Sequence, residues 1–112
     1  MWIEGNDEHA MFLHVRNNGP LSAQVDAEHW SQSYNGDAII TNENVCCSRR
    51  RENTNHAIQI VGLHKDASGA GNHYWIVRNS WGTDYGDGGY AKVKYGCNVC
   101  GIATWVTYPN LN

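Results

Sequence analysis

The sequence is short of basic residues and has no long apolar run. Its 8 lysines and arginines against 11 acidic residues give a net charge of −3, so the chain lacks the positive field with which proteins hold the phosphates of nucleic acids. No apolar stretch approaches the roughly 20 residues that a helix needs to span a bilayer, and the N-terminus lacks the apolar core of a signal peptide. We therefore expect no nucleic acid partner, no membrane partner and no signal peptide within this chain.

The length predicts a single domain over residues 1–112, because the chain can bury one core but is too short for two. One short helix is predicted near the N-terminus. Asn6 can cap it, Asp7 and Glu8 favour the positive end of its dipole, and Gly19-Pro20 ends it. The apolar face of this helix consists of Met11, Phe12 and Val15.

From Leu21 the apolar period changes to two, which predicts a half-buried strand. Its inward side chains are Leu21, Ala23 and Val25, and its outward ones are Ser22, Gln24 and Asp26. Further strands are predicted over residues 56–61, 74–82, 90–95 and 102–108. One helix followed by five or six strands is typical of a mostly β fold of the α+β class, built as an open antiparallel barrel or a sandwich.

The strands that begin at His56 and Tyr74 are joined by a glycine-rich turn and form a predicted hairpin. This hairpin would bring His56 close to Asn79. A neutral imidazole needs a partner that selects its tautomer and ring orientation, and a carboxamide at the end of a neighbouring strand can supply one. The sequence therefore predicts a base and its orienting residue, with no nucleophile evident beside them.

The four cysteines form two close pairs, Cys46 with Cys47 and Cys97 with Cys100. Such pairing favours an oxidising compartment. Four cysteines allow three disulfide connectivities, and a bridge between adjacent residues is strained, so the two cross-pairings between the clusters remain open. Neither a zinc site nor a redox dithiol is expected, because adjacent cysteines chelate poorly and no helix follows Cys97 to lower a thiol pKa. We expect no metal and no cofactor.

Several motifs in this order resemble the C-terminal half of the papain-family cysteine peptidases, the cathepsins. They are Gly19-Pro20-Leu21-Ser22, Asn55-His56-Ala57, Tyr74-Trp75-Ile76-Val77-Arg78-Asn79-Ser80-Trp81-Gly82, Gly88-Gly89-Tyr90, Cys100-Gly101-Ile102-Ala103 and Tyr108-Pro109. The resemblance covers residues 8–109 and implies the open antiparallel barrel of the family's right-hand domain. It also implies that the family's N-terminal domain is absent from these residues.

Carried over position by position, the resemblance implies that His56 is the general base and acid, that Asn79 orients it and that Trp81 covers the pair. It further implies that Cys100 is bridged to Cys46 or Cys47. Cys97 would then take the remaining member of that vicinal pair.

The family nucleophile lies in a Cys-Gly-(Ser/Ala)-Cys-(Trp/Tyr) signature, which this sequence lacks. The resemblance thus predicts a domain of a cysteine endopeptidase that is inactive alone and needs an N-terminal, cysteine-bearing papain-like domain as its partner. The substrate would be a peptide or protein. The main alternative is a non-enzymatic relative that serves as a binding or structural domain.

The resemblance also predicts where a substrate side chain would bind. The family's second subsite falls on Gln24, Thr54, Ala57 and Trp105, with Trp105 at the pocket floor. A glutamine wall and a tryptophan floor would make the pocket short and polar. Family membership and paired cysteines together imply a lysosomal or extracellular location.

Overall fold

A computed structural model of the chain describes residues 2–3, 7–27, 30, 39–41, 53–65, 67, 73–79, 86 and 88–107. These residues form one α-helix and seven β-strands. The helix is α1 (Glu8–Asn18), and the strands are β1 (Trp2–Ile3), β2 (Leu21–Val25), β3 (Ile39–Ile40), β4 (His56–His64), β5 (Tyr74–Arg78), β6 (Tyr90–Lys94) and β7 (Val106–Thr107). Within this part of the chain, no helix has the length and apolar character needed to cross a membrane.

The predicted N-terminal helix is confirmed, with a different capping residue. Oδ1 of Asp7 accepts a hydrogen bond from the Ala10 amide at 3.0 Å, so Asp7 is the N-cap rather than Asn6. The helix ends at Gly19, whose φ of 109° is a conformation that side chains with a Cβ rarely adopt. Met11 is fully buried, and Phe12 and Val15 pack beside it against the core, as the apolar face predicts.

The strands form one open sheet in the order β1-β7-β2-β4-β5-β6-β3. The predicted mostly β architecture of the α+β class is confirmed. The prediction that the sheet is wholly antiparallel was wrong, since β3 pairs with β6 in parallel. A parallel pair needs a long connection, and β4 and β5 intervene between these two strands in the chain. The long strand β4 lies in the middle, paired antiparallel with β2 on one side and β5 on the other.

Strand β2 has the predicted alternation, with Leu21, Ala23 and Val25 buried and Ser22 and Gln24 exposed. Asp26 was wrongly predicted to point outward. It lies just beyond the end of β2, where the alternation stops, and only 6% of it is exposed. A buried carboxylate needs hydrogen-bond partners, and those of Asp26 are described below with the site.

Glu8 connects the helix to the sheet through its buried carboxylate. Its Oε1 accepts a hydrogen bond from the Trp75 indole at 2.8 Å, and its Oε2 accepts one from the Asn98 amide at 3.0 Å. Bonds to an ionised group are stronger than neutral ones and here leave both oxygens satisfied. The first turn of α1 is thereby held to β5 and to the loop after β6.

The C-terminal strand is shorter than the sequence predicts. A 3₁₀ turn covers Val99–Gly101, turns follow over residues 102–104, and within residues 102–107 the strand is limited to Val106–Thr107. The β-branched and aromatic composition was misleading because local bonds favour a turn. Oδ1 of Asn98 accepts from the Ala103 amide at 2.8 Å, and the Thr104 hydroxyl donates to the Gly101 carbonyl at 2.7 Å.

Tyr95 packs edge-on against Trp75, and burial, with smaller contributions from the Glu8 and Asp7 carboxylates, raises its pKa above the ordinary 10.0. A raised pKa of an acid in the folded state means that the unfolded chain loses its proton first as the pH rises. Stability is therefore unaffected by this group below pH 10 and falls above it.

We predict that Tyr95→Phe flattens this alkaline loss of stability. Chemical unfolding of the wild-type and variant chains at pH 8 and pH 11 measures how much the free energy of unfolding falls between the two pH values. The control is Tyr90→Phe, at an exposed position on β6. Equal alkaline slopes in the wild type and Tyr95→Phe would contradict the expectation.

Candidate active site

The predicted general base and the residue predicted to orient it lie at the ends of neighbouring strands. His56 is the first residue of β4, and Asn79 directly follows β5. In the register of these strands Gln59 faces Arg78. One residue further, Asn79 would face Ile58, which makes His56 its diagonal neighbour on the same face of the sheet. Diagonal neighbours lie within reach of long side chains.

The structure places Nε2 of His56 2.8 Å from Oδ1 of Asn79. A carboxamide oxygen only accepts hydrogen bonds, so the proton of a neutral imidazole lies on Nε2. Nδ1 is then the basic nitrogen, able to take a proton from an acid. The expected proximity of His56 and Asn79 is thus observed, and its geometry selects one tautomer.

The carboxamide of Asn79 is held by the backbone and by His56. The Asn79 amide donates to the Gly89 carbonyl at 3.0 Å, and 4% of the residue is exposed. Among the described residues, its Nδ2 is a buried donor without a hydrogen-bond partner. Such a donor costs about 1–3 kcal/mol. Stability alone does not favour this arrangement, which is typical of functional sites.

The four residues predicted to line a substrate pocket lie together beside this pair. Gln24 and Ala57 face each other across β2 and β4, and both are exposed. The Thr54 hydroxyl is 3.5 Å from Oε1 of Gln24, and the Trp105 carbonyl accepts from the Gln24 amide at 3.2 Å. Ala57 follows His56 in the chain, so this group adjoins His56.

Two polar residues next to His56 were not recognised as a pair from the sequence. Nδ2 of Asn55 is 3.5 Å from Oδ1 of Asp26. Asn55 was named only as part of the motif Asn55-His56-Ala57, and Asp26 was assigned to the solvent side. The position of Asp26 could have indicated its burial. It directly follows β2, where the alternation of buried and exposed residues ends and the next segment of the chain can cover a side chain.

Cys100 is disulfide-bonded, as predicted, and fully buried; its partner lies outside the described residues. Cys97 is an exposed thiol, so the predicted second bridge through Cys97 is not part of this structure. The turn between the two cysteines directs them to different surroundings. Asn98 takes a left-handed φ of 47°, and the chain reverses so that Cys97 faces the surface and Cys100 the core.

Three predicted site residues, Trp81, Cys46 and Cys47, lie outside the described residues. Over the described ranges, no three His, Cys, Asp or Glu side chains group closely enough to hold a metal ion.

The comparisons with protein families, with curated proteins and with solved structures agree with one another. The model of the family described as "Papain family cysteine protease" matches residues 2–110. Fruit bromelain of Ananas comosus is 40% identical, and the match covers 98% of this chain and 30% of the length of fruit bromelain. Cathepsin O of Homo sapiens is 48% identical, and the match covers 80% of this chain and 25% of the length of cathepsin O. The structure of digestive procathepsin L2 proteinase from Tenebrio molitor larval midgut superposes with a TM-score of 0.83 at 33% identity, over 99% of this chain and 33% of that one. The chain thus spans a third or less of these relatives.

We predict that Asn79→Ala allows the His56 imidazole to populate both tautomers, because it removes the acceptor for Nε2–H. Nitrogen-15 NMR of the labelled chain distinguishes the tautomers. The free energy of unfolding should change by no more than about 1 kcal/mol, since the substitution also removes an unpaired buried donor. Asn18→Ala, at the exposed end of α1, is the control. A His56 spectrum identical to wild type would refute the orienting role.

Proposed function

The chain belongs to the papain family of cysteine proteases, and on this premise we propose that it supplies the base and the orienting carboxamide of a cysteine endopeptidase. His56 acts as general base and acid, Asn79 orients it and Trp81 covers the pair. The nucleophilic thiol comes from an N-terminal papain-like domain, which also contributes to binding the peptide or protein substrate.

The observation that carries this proposal is the 2.8 Å contact between His56 and Asn79. With its proton on Nε2, the imidazole accepts the thiol proton at Nδ1, and the thiolate attacks the peptide carbonyl. The imidazolium then protonates the departing amine from the same nitrogen. Asn79 keeps the ring in one orientation through both transfers, the role that a third residue has in such triads.

The 112-residue chain by itself is proposed to be inactive. It lacks the cysteine signature of the family nucleophile, and it matches only about 30% of the length of fruit bromelain. The sulfur of Cys100 is buried and committed to a disulfide, so it offers no thiolate to His56. Loss of the nucleophile from a unit of this kind costs several orders of magnitude in rate.

We assign the specificity pocket to the group beside β4. Trp105 forms its floor, and Gln24, Thr54 and Ala57 line its walls. The hydroxyl and carboxamide at 3.5 Å from each other make one wall polar, while the indole fills volume that a long aliphatic side chain would need. The pocket thus favours short or polar substrate side chains.

The proposed function fits a lysosomal or extracellular location. The disulfide at Cys100 requires an oxidising environment, and several similar proteins are named cathepsins. A non-enzymatic relative that acts as a binding or structural domain is the second candidate, favoured by the absence of the cysteine signature from these 112 residues.

Reconstitution tests the proposal. The pure chain should not cleave a fluorogenic dipeptidyl substrate, whereas co-folding with the N-terminal, cysteine-bearing domain of a papain-family relative should generate activity. His56→Ala in the co-folded enzyme should lower the rate by about 10³-fold or more.

Two results would contradict it. One is thiol-inhibitor-sensitive cleavage by the pure chain, and the other is full activity of the co-folded His56→Ala enzyme. Co-folding that yields a stable but inactive complex with wild-type His56 would favour the non-enzymatic candidate.

For the pocket, we predict that Trp105→Ala in the co-folded enzyme widens the accepted side chains. The ratio of kcat/KM for a substrate with leucine over one with alanine at this subsite should rise about 10-fold or more, as expected for a few methylene contacts. Leu13→Ala, on the exposed face of α1, is the control. An unchanged kcat/KM ratio would contradict the assignment of Trp105 to the pocket.

A further inference from the structure

The outer face of β4, β5 and β6 is a surface separate from the candidate active site. In these strands the buried side chains alternate with side chains that point away from the core. His56 lies two residues before the buried Ile58, on the core side of β4. Asn79 lies two residues after the buried Val77, on the same side of the sheet. The outward side chains therefore belong to the opposite face.

The strand register arranges these outward residues in three rows of neighbours. Each row combines one lysine or arginine with an aromatic or aliphatic side chain on the adjacent strand. Together the rows hold three of the 8 lysines and arginines of the chain and no aspartate or glutamate. The rows, each read from β4 to β6, are Gln59, Arg78 and Tyr90; Gly62, Ile76 and Lys92; and His64, Tyr74 and Lys94.

The middle row has an apolar centre. Gly62 has no side chain, and a Cβ placed there would lie 3.8 Å from Cδ1 of Ile76, so the Ile76 side chain leans over the Gly62 backbone. The Lys92 ammonium lies 5.4 Å from the centroid of the Tyr74 ring, which belongs to the next row. Ile76, which is half-buried, is thus the centre of a face whose cations lie around it.

The aromatic and cationic groups around Ile76 are partly ordered. Tyr74 is contacted from both neighbouring strands, by Lys92 on β6 and by the His64 ring on β4, whose centroid is 4.8 Å from that of Tyr74 with 21° between the planes. Groups that are already oriented lose less conformational entropy when a partner binds. The row at the other end is more accessible, since Arg78 is exposed and 38% of Tyr90 is exposed.

We propose that this outer face is a docking surface for an extended segment of another protein with the pattern acidic-x-apolar-x-acidic. Alternate side chains of an extended chain lie about 7 Å apart on one side. The rows have the same spacing, because they are two residues apart along β5 and β6. An apolar side chain in the middle covers Ile76, and the two carboxylates pair with Arg78 and Lys94.

The apolar centre favours a protein segment over a nucleic acid or a sulfated polysaccharide. Such polyanions can pair with Arg78 and Lys94, but they bring no aliphatic side chain to cover Ile76. The net charge of −3 also disfavours a long polyanion, which is repelled by the rest of the chain, whereas a short segment meets only the local cations. Tyrosine and arginine around an apolar centre are the composition of protein–protein interfaces.

The test is a titration of the nitrogen-15-labelled 112-residue chain with capped peptides, followed by NMR. The probe is Ser-Glu-Ser-Leu-Ser-Glu-Ser. One matched peptide, Ser-Ser-Glu-Leu-Glu-Ser-Ser, changes the spacing, and the other, Ser-Glu-Ser-Ser-Ser-Glu-Ser, removes the apolar side chain. We expect the probe to shift the amide signals of β5 and β6, to bind about 5-fold or more tightly than either matched peptide, and to bind more weakly as salt is added.

Variants of the chain locate the binding residues. Lys94→Gln and Arg78→Gln should each weaken probe binding about 2- to 5-fold, as expected for an exposed ion pair. Ile76→Thr keeps a β-branched residue in the strand and should abolish the preference for the leucine peptide over its serine counterpart. Arg16→Gln, on the exposed side of α1, removes the same charge elsewhere and is the matched control. Urea unfolding verifies that each variant is folded.

Three results would overturn the proposal. The first is equal binding of the three peptides, and the second is an equal effect of Arg16→Gln and Lys94→Gln. The third is tighter binding of dextran sulfate than of the probe, at equal concentration of negative charge and with the same amide shifts, which would assign the face to a polyanion. The titration involves no catalysis, so its result is independent of the proposed function.

Discussion

The pairing of β4 with a strand on each side is the constraint on which the rest of this structure depends. Its register against β5 brings His56 diagonally beside Asn79, and its register against β2 sets Asn55 against residues 25–27. A slip of one residue in either ladder would turn every β4 side chain to the opposite face. The apolar residues of β4 prevent this, since Ile58 and Ile60 must stay in the core.

The two site residues are held from opposite directions. Asn79 is tied toward β6 through the Gly89 carbonyl, and His56 toward β2 through the neighbouring Asn55. Glu8 keeps helix α1 on the sheet through β5 and the loop after β6. The helix thus supports β5, the strand that Asn79 directly follows. Rigid elements of this kind hold functional geometry more precisely than loops do.

The buried Nδ2 of Asn79 is a feature that stability alone does not explain. A side chain chosen for stability would satisfy both ends of its carboxamide or be apolar. Here one end serves His56 and the other is unpaired within the described residues. The left-handed Cys100 is a second unfavourable local feature. Its carbonyl accepts a hydrogen bond from the Asp26 amide.

Much of the fold was accessible from the sequence because its determinants are local. Alternating apolar residues specified the faces of β2, and capping and glycine signals bounded α1 to within one residue. The pairing of His56 with Asn79 followed from a hairpin, also a local structure. Errors had two sources. Asp26 is buried by contacts with Asn55 and Cys100, which are distant in the chain. Residues 102–104 form turns because local bonds, such as that of Asn98 to Ala103, outweigh their β-forming composition.

The sequence by itself therefore determined most of the element types, the family and the proximity of His56 to Asn79, because periodicity, turn residues and motif order act over short distances. Only the tertiary structure decided which tautomer His56 adopts, that Cys97 faces the surface while Cys100 is bridged, and that Asn55 and Asp26 meet beside the base. These features depend on distances between segments far apart in the chain. Such distances are set by strand register and core packing together, and no single stretch of residues encodes them.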